Sequence, residues 1–331
     1  MKKNKPTIFG IGNPLIDVVI YVDEDDLIEL ELNKGTMELV NQERQLEIIQ
    51  YFEMSNPSYS PGGSAPNTII ACAGLGVESY ITGKIGNDKF GDIYLNQMKK
   101  YGVSSGIIQV DGTTGSSIIL VTPDGERTMN THLGLCREFN DDDIDQEKLV
   151  QSKYLYFTGY MWDTDSQKSA IKKAISIARQ NDLQVVFDVA DPFVVNRNKS
   201  EFLKMIKNDV DIIFANQPEI ELLFDSEKID NSINDLMKCI GCGGIKLGKE
   251  GSIIFKEGKK YKSDASQVKV IDTTGAGDMF AAGFLATMAR GDNFNKVSKI
   301  ATRLAEEIIQ INGAQFEKGK MDKIKTDIFS Y

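Results

Sequence analysis

The chain is 331 residues long, 41% hydrophobic and 26% charged, enough to bury a sizeable core in one large domain with a small appendage. A formal net charge of −10 speaks against a nucleic-acid surface, because such partners select for basic patches. No stretch approaches the roughly 20 apolar residues of a membrane span. The basic start Met1-Lys-Lys-Asn-Lys-Pro6 leads into a segment broken by Gly10, Gly12, Asn13, Pro14 and Asp17, not into a signal-peptide core, so a cytoplasmic protein is expected.

Residues 7–11 read as a first strand, and 17–22 continue extended. Asn41 can cap a helix running to about Met54, with Leu46, Ile49 and Phe52 at helical spacing. A small apolar helix over 65–75 follows a Gly-rich turn, and 87–101 form a third helix. The runs 116–122 and 126–132 flank Pro123-Asp-Gly125, a hairpin signal. Strands at 154–158, 185–189, 212–215 and 253–255 then alternate with helix-length segments. Uninterrupted apolar runs such as Val185-Val-Phe187 and Ile212-Ile-Phe214 suit parallel strands buried on both faces. The more polar, alternating segments near 18–40 and 112–132 suit a sheet with one wet face. The expectation is an α/β, doubly wound domain over residues 1–318 with a small β lid from those two segments. Residues 319–331, rich in Lys and Asp, read as a peripheral tail.

Cys239 and Cys242 have half the spacing of a zinc or redox motif, but Cys72 and Cys136 lie far away, so a structural role is expected. His132 is the only histidine, which leaves acid–base work to carboxylates, lysine or tyrosine.

The strongest local signal is Asp272-Thr-Thr-Gly-Ala-Gly-Asp278, a strand running through a Gly-rich turn into a helix. The backbone N–H groups of Gly275, Ala276 and Gly277 would point out of the helix N-terminus, where partial positive charge collects and an anion can sit. Asp278 falls in the first turn beside that anion hole. It is either the base that takes a proton from an attacking hydroxyl or an acid that complements the helix dipole. Pro61-Gly-Gly-Ser-Ala-Pro-Asn67 allows close approach of backbone to a ligand, with Asn67 able to donate and accept, or it is a plain turn and helix start. Asp17 is a hydroxyl acceptor or a turn residue.

Together, Phe9-Gly-Ile-Gly-Asn-Pro-Leu-Ile-Asp17, Gly62-Gly-Ser-Ala-Pro-Asn67, Asn216-Gln-Pro-Glu219 and Asp272 to Asp278 resemble the ribokinase-like (pfkB) carbohydrate kinases over residues 7–315. The resemblance implies a Rossmann-like domain with a β lid and transfer of the ATP γ-phosphoryl to a hydroxymethyl group. It implies Asp278 as base and Gly275, Ala276 and Gly277 as anion hole. Asn216 and Glu219 would help position Mg²⁺ and phosphate, with Glu219 acting on the metal indirectly. Lys246, Gly248, Gly251 and Thr273 would line the nucleotide site. Within the family the chain looks most like the adenosine kinases, with Asp17, Gly63 and Asn67 where the ribose hydroxyls are held and Asn13 and Gly62 also binding substrate. Tyr160 and Met161 would lie against the base, and Arg127 near a phosphate.

The implied ligands are a nucleoside or sugar and ATP with Mg²⁺, in a monomer or homodimer without nucleic-acid or membrane partners. A ribokinase- or fructokinase-like sugar kinase would share every catalytic residue. A non-catalytic nucleoside sensor would be expected to have lost Asp278 or the glycines, and neither is lost. The chain carries no Gly-x-x-x-x-Gly-Lys-Ser/Thr run, and Gly10, Gly12 and Pro14 break the dinucleotide-binding spacing.

Overall fold

The computed structural model describes residues 7–52, 54 and 57–329. In chain order the elements are β1 (Ile8–Ile11), β2 (Leu15–Tyr21), α1 (Glu24–Glu29), β3 (Met37–Leu39), α2 (Gln42–Tyr51), β4 (Ser58–Gly62), α3 (Ser64–Gly74), β5 (Ser79–Gly86), α4 (Lys89–Tyr101), β6 (Ser104–Val110), β7 (Thr114–Val121) and β8 (Arg127–Gly134). They continue with α5 (Gln146–Val150), β9 (Tyr154–Thr158), α6 (Asp165–Gln180), β10 (Gln184–Asp188), α7 (Pro192–Asn208), β11 (Ile212–Asn216), α8 (Gln217–Phe224), α9 (Ile229–Cys239), β12 (Cys242–Lys246), β13 (Ser252–Lys256) and β14 (Lys259–Ser263). The last three are α10 (Ala276–Arg290), α11 (Phe294–Ile308) and α12 (Lys318–Phe329).

The strands form a nine-stranded sheet in the order β14-β13-β12-β11-β10-β9-β1-β5-β6. It is parallel from β12 to β6, with β13 and β14 antiparallel at one edge. Strands β9, β10 and β11 are apolar because both of their faces are covered: Leu155, Phe187 and Ile213 pack under α6 and α7, while Tyr156, Val186 and Ile212 pack toward α3 and α10. The chain runs from β1 outward to β5 and β6, then returns to β9 on the other side of β1. That reversal opens a crevice at the carboxyl ends of the strands, where doubly wound sheets bind ligands.

A second, five-stranded sheet in the order β3-β8-β7-β2-β4 overhangs this crevice. The segments 18–40 and 112–132 supply most of it, but β4 joins from outside them, with Leu15 paired to Gly62 and Asp17 to Ser60. Its sequence, Ser58-Tyr-Ser-Pro-Gly62, contains the proline and glycine that argue against a strand, and an edge strand tolerates both. The segment expected to be extended also holds the short helix α1.

The expected peripheral tail is corrected. Residues 318–329 form α12, whose Met321, Ile324 and Ile328 are buried against the core. A side chain at Gly74 of α3 would sit 2.6 Å from Met321, so the two helices are in close contact. Among the described residues no helix is long and apolar enough to cross a membrane.

Candidate active site

A cavity of about 880 Å³ lies between the sheet's carboxyl edge and the overhanging sheet. The last residues of four strands of the large sheet reach it: Thr158 of β9, Asp188 of β10, Asn216 of β11 and Lys246 of β12. Of the residues singled out from sequence, Asn13, Asp17, Gly63, Asn67, Arg127, Tyr160, Asn216, Glu219, Lys246, Gly248, Thr273, Gly275, Ala276, Gly277 and Asp278 line the cavity.

Three do not. Met161 is fully buried in the core beneath the sheet, so it offers nothing to a bound base, and its neighbour Tyr160 alone reaches the cavity. Gly62 lies behind the wall. A Cβ there would fall 2.3 Å from the Asp17 carboxylate, so this glycine makes room for Asp17 and does not itself meet a ligand. Gly251 holds a turn at φ +86°, and a side chain on it would strike the Ser263 carbonyl.

Asp278 is buried in the first turn of α10. Ser64 Oγ donates to its Oδ1 at 2.6 Å and Asn67 Nδ2 to its Oδ2 at 2.9 Å. Burial pushes the carboxyl up to about 6 against the pull of those two bonds. Asn67 is therefore engaged with the protein on both ends, since its Oδ1 accepts from Gln315 Nε2 at 2.9 Å. It orients Asp278, which differs from the expectation that it reads substrate hydroxyls with a free amide.

The turn before α10 is built as its glycines require. Gly275 adopts φ +76° and packs so closely that a Cβ would meet Ala314 at 2.8 Å. The Ala276 N–H turns back to the Thr273 carbonyl at 3.2 Å. The amides of Gly275, Gly277 and Asp278 have no protein acceptor among the described residues, so the amides free to meet an anion differ by one residue from the expected trio.

Lys246 Nζ comes within 3.0 Å of where a Cβ on Gly277 would lie, and it pairs with Asp188 Oδ1 at 3.4 Å. Burial disfavours its charge, but Asp188, Glu219 and Asp278 outweigh that and hold the ammonium protonated. Asn216 and Glu219 form a reciprocal cap: Asn216 Oδ1 accepts from Glu219 N at 2.9 Å, and Asn216 N and Nδ2 donate to the Glu219 carboxylate at 2.8 and 2.6 Å. Burial raises the carboxyls of both Glu219 and Asp188, with Lys246 opposing.

Across the cavity, burial lifts Asp17 to about 7, with Arg127 opposing and Asp278 and Asp272 adding to the rise. Arg127 reaches from β8 to the turn before α10, where its Nη2 donates to Asp272 Oδ2 at 2.6 Å. Its buried Nη1 has no partner. Asp272 also accepts from Thr274 N and Gly313 N, which pins the loop.

Several site residues escaped the sequence reading. Ser64 stood inside a quoted motif as part of a helix start. Asp188 is an ordinary strand-end acid in sequence, and Gln315 lies at the far end of the chain. Ala190, which follows Asp188 into the cavity wall, adopts φ +80°, a backbone conformation unusual for a residue with a Cβ.

Residues 37–320 match the pfkB family of carbohydrate kinases. Along 95% of its length the chain is 28% identical to adenosine kinase of Saccharomyces cerevisiae, covering 98% of that protein over 338 residues. Among solved structures it is similar to adenosine kinase from Sinorhizobium meliloti, at 34% identity and a TM-score of 0.88, covering 95% of this chain and 96% of that one. It is also similar to a probable sugar kinase from Rhizobium etli, at 30% identity and a TM-score of 0.91, covering 98% of each chain. A phosphotransferase that acts on a hydroxyl group, with ATP as phosphate donor, follows from that match, and the chain belongs to the pfkB carbohydrate kinase family.

Proposed function

We propose that this kinase phosphorylates the 5′-hydroxyl of a purine ribonucleoside, adenosine first. The observation that carries the proposal is the mixed lining of the cavity. Asn13, Asp17 and Asp278 offer hydrogen bonds, while Leu15, Met37, Leu39, Ile119, Met129 and Leu133 of the overhanging sheet, which also carries Asp17, add an apolar surface. A ribonucleoside is mixed in the same way, with hydroxyls at one end and a flat, weakly hydrated base at the other. A free sugar would leave hydroxyls against the apolar wall, unpaired at a cost. The likeness to adenosine kinases from two organisms points the same way.

In this reading Asp17 accepts from the ribose hydroxyls, and the nucleoside's 5′-hydroxyl reaches Asp278. The hydroxyl oxygen attacks the γ-phosphorus as the bond to the β-phosphate oxygen breaks. The hydroxyl proton passes to the Asp278 carboxylate, and ADP leaves. The amides of Gly275 and Gly277 and the Lys246 ammonium take the charge that builds on the transferring group. Arg127 Nη1 is available to a phosphate oxygen. The overhanging sheet keeps water from the γ-phosphoryl.

Mg²⁺ fits the donor set beside the phosphate site. Asp188 and Glu219 supply two buried carboxylates, whereas no protein-only cluster of three or more ligating side chains occurs among the described residues. That matches an ion carried largely by phosphate oxygens and water. When bound, it neutralises charge on the β- and γ-phosphates.

Steady-state kinetics with ATP and adenosine, inosine, ribose or fructose test the proposal. Adenosine should give the highest kcat/KM. A higher value for ribose or fructose would overturn the nucleoside reading and leave the family assignment standing.

A further inference from the structure

Gln167 lies in the first turn of α6, behind the cavity wall, and is fully buried. A glutamine with no solvent contact must answer all its polar atoms internally. Its Nε2 donates to the Cys136 carbonyl at 2.7 Å and to Asn13 Oδ1 at 2.6 Å. Its Oε1 accepts from Thr164 Oγ1 at 3.1 Å, the same hydroxyl that caps the helix.

These contacts form a chain of obligations with one fixed end. A backbone carbonyl can only accept, so Cys136 dictates that the nitrogen end of the Gln167 amide faces it. The second N–H on that nitrogen needs an acceptor, and Asn13 supplies its Oδ1. The orientation of the Asn13 amide is then no longer free. Its Nδ2 is the end left over on the cavity wall, with no protein acceptor among the described residues.

We propose that Gln167 is a positioning residue that locks the Asn13 amide with its N–H₂ toward the substrate, so that this corner of the cavity recognises a hydrogen-bond acceptor on the nucleoside. The matching chemistry is a ring nitrogen or the ribose ring oxygen, not an amino group. The proposal rests on the reading of this cavity as the acceptor site and deepens it. It adds a rule of polarity that an apolar wall and a hydroxyl-binding carboxylate do not provide.

The test is a double-mutant cycle read on the KM of the acceptor. In Gln167→Glu both ends of the side chain accept, so Asn13 is drawn to turn its nitrogen inward and present Oδ1 to the substrate. The KM for adenosine should rise roughly 10- to 100-fold, the usual worth of a buried hydrogen bond turned into a mismatch. The kcat and the KM for ATP should stay within a few-fold. In an Asn13→Ala background, which removes the amide, the same change at Gln167 should have no further effect on the acceptor KM. An equal penalty with and without Asn13 would overturn the proposal, because Gln167 would then act through packing alone.

Should Gln167→Glu fail to fold, Gln167→Met closes the same cycle, with a smaller rise of a few-fold because Asn13 is freed and not inverted. A KM at the unmodified value in Gln167→Met would equally sink the idea. The cycle is run on whichever acceptor the unmodified enzyme uses best. If that acceptor is a free sugar, the nucleoside reading has failed while the cycle still decides the role of Gln167.

Discussion

Replacing Asp278 by Asn should move activity and stability in opposite directions. The carboxylate is held by Ser64 Oγ and Asn67 Nδ2. An asparagine keeps both contacts, with its Oδ1 toward Asn67 and its Nδ2 toward Ser64, whose hydroxyl can turn to accept. The fold should survive, and loss of a positioned base should cut kcat by roughly 10²–10⁴. Burial lifts this carboxyl from 3.8 to about 6, so the ionised, folded form is disfavoured by about 3 kcal/mol. The sign follows from linkage. An acid whose pKa rises on folding contributes stability below pH 3.8, and that contribution is lost as pH rises through about 6. The neutral asparagine has no such loss. At pH 8 the variant should therefore melt higher than the unmodified protein, by roughly 4 °C if unfolding entropy is about 0.7 kcal/mol/K for a chain of this length. At pH 4 the difference should vanish. Scanning calorimetry at the two pH values, beside steady-state turnover, checks both halves. Turnover above a tenth of the unmodified rate would refute the base. A variant that melts lower at pH 8 would refute the electrostatic reasoning.

Three further outcomes follow from other parts of the site and fold. Lys246→Met should lower kcat by roughly 10²–10³, as for loss of one charge-stabilising donor, with a smaller change in the KM for the acceptor; a KM effect alone, seen in initial-rate kinetics, would place the lysine in binding only. Asp17→Ala should erase most of a preference for adenosine over 2′-deoxyadenosine, a preference that can reach about 10⁴ where a buried group goes unmatched, and competition kinetics with the two nucleosides measure it. Ile324→Ala should destabilise the protein by about 2–5 kcal/mol in urea titrations, the range for a buried aliphatic side chain; an unchanged midpoint would mean that α12 does not belong to the core.

The legible parts of this molecule were those where local chemistry and tertiary role agree. Strands β10 and β11 are apolar over their whole length because both faces are covered, and the turn before α10 carries its glycines where the backbone needs them. The parts that were not legible are those where two demands compete within a few residues. In β4, Pro61 and Gly62 serve the approach to Asp17 and the entry to α3, and the strand signal is lost beneath them. In α12, Met321, Ile324 and Ile328 keep helical spacing, but the lysines on the outer face dominate the composition. Tyr160 and Met161 are neighbours in one tight turn, where only three-dimensional packing decides which faces the cavity. Asn67 was singled out from the sequence and Ser64 only as part of the turn around it, whereas their hold on Asp278, more than two hundred residues away, was not legible.

In the proposed reaction, the electrostatics of the cavity set the strength of the base. Asp17, Asp188, Glu219 and Asp278 converge on one space, and burial raises the pKa of each. Lys246 is shared among three of them, and Arg127 is tied to Asp272 through Nη2 while its Nη1 has no partner. Such an arrangement is costly to the isolated fold, and in the proposed reading a ligand that donates hydroxyls to carboxylates relieves it. As the proposed base, Asp278, near 6, is ionised at neutral pH, yet it is basic enough to receive a proton as the hydroxyl oxygen bonds to phosphorus. It accepts two hydrogen bonds at rest and has lone-pair capacity for a third, so the substrate hydroxyl adds to the site without dismantling it. The burial that raises Asp278 also limits the access of water, and so, under the proposed mechanism, one feature of the packing sets the strength of the base and favours an alcohol over water as the group it activates.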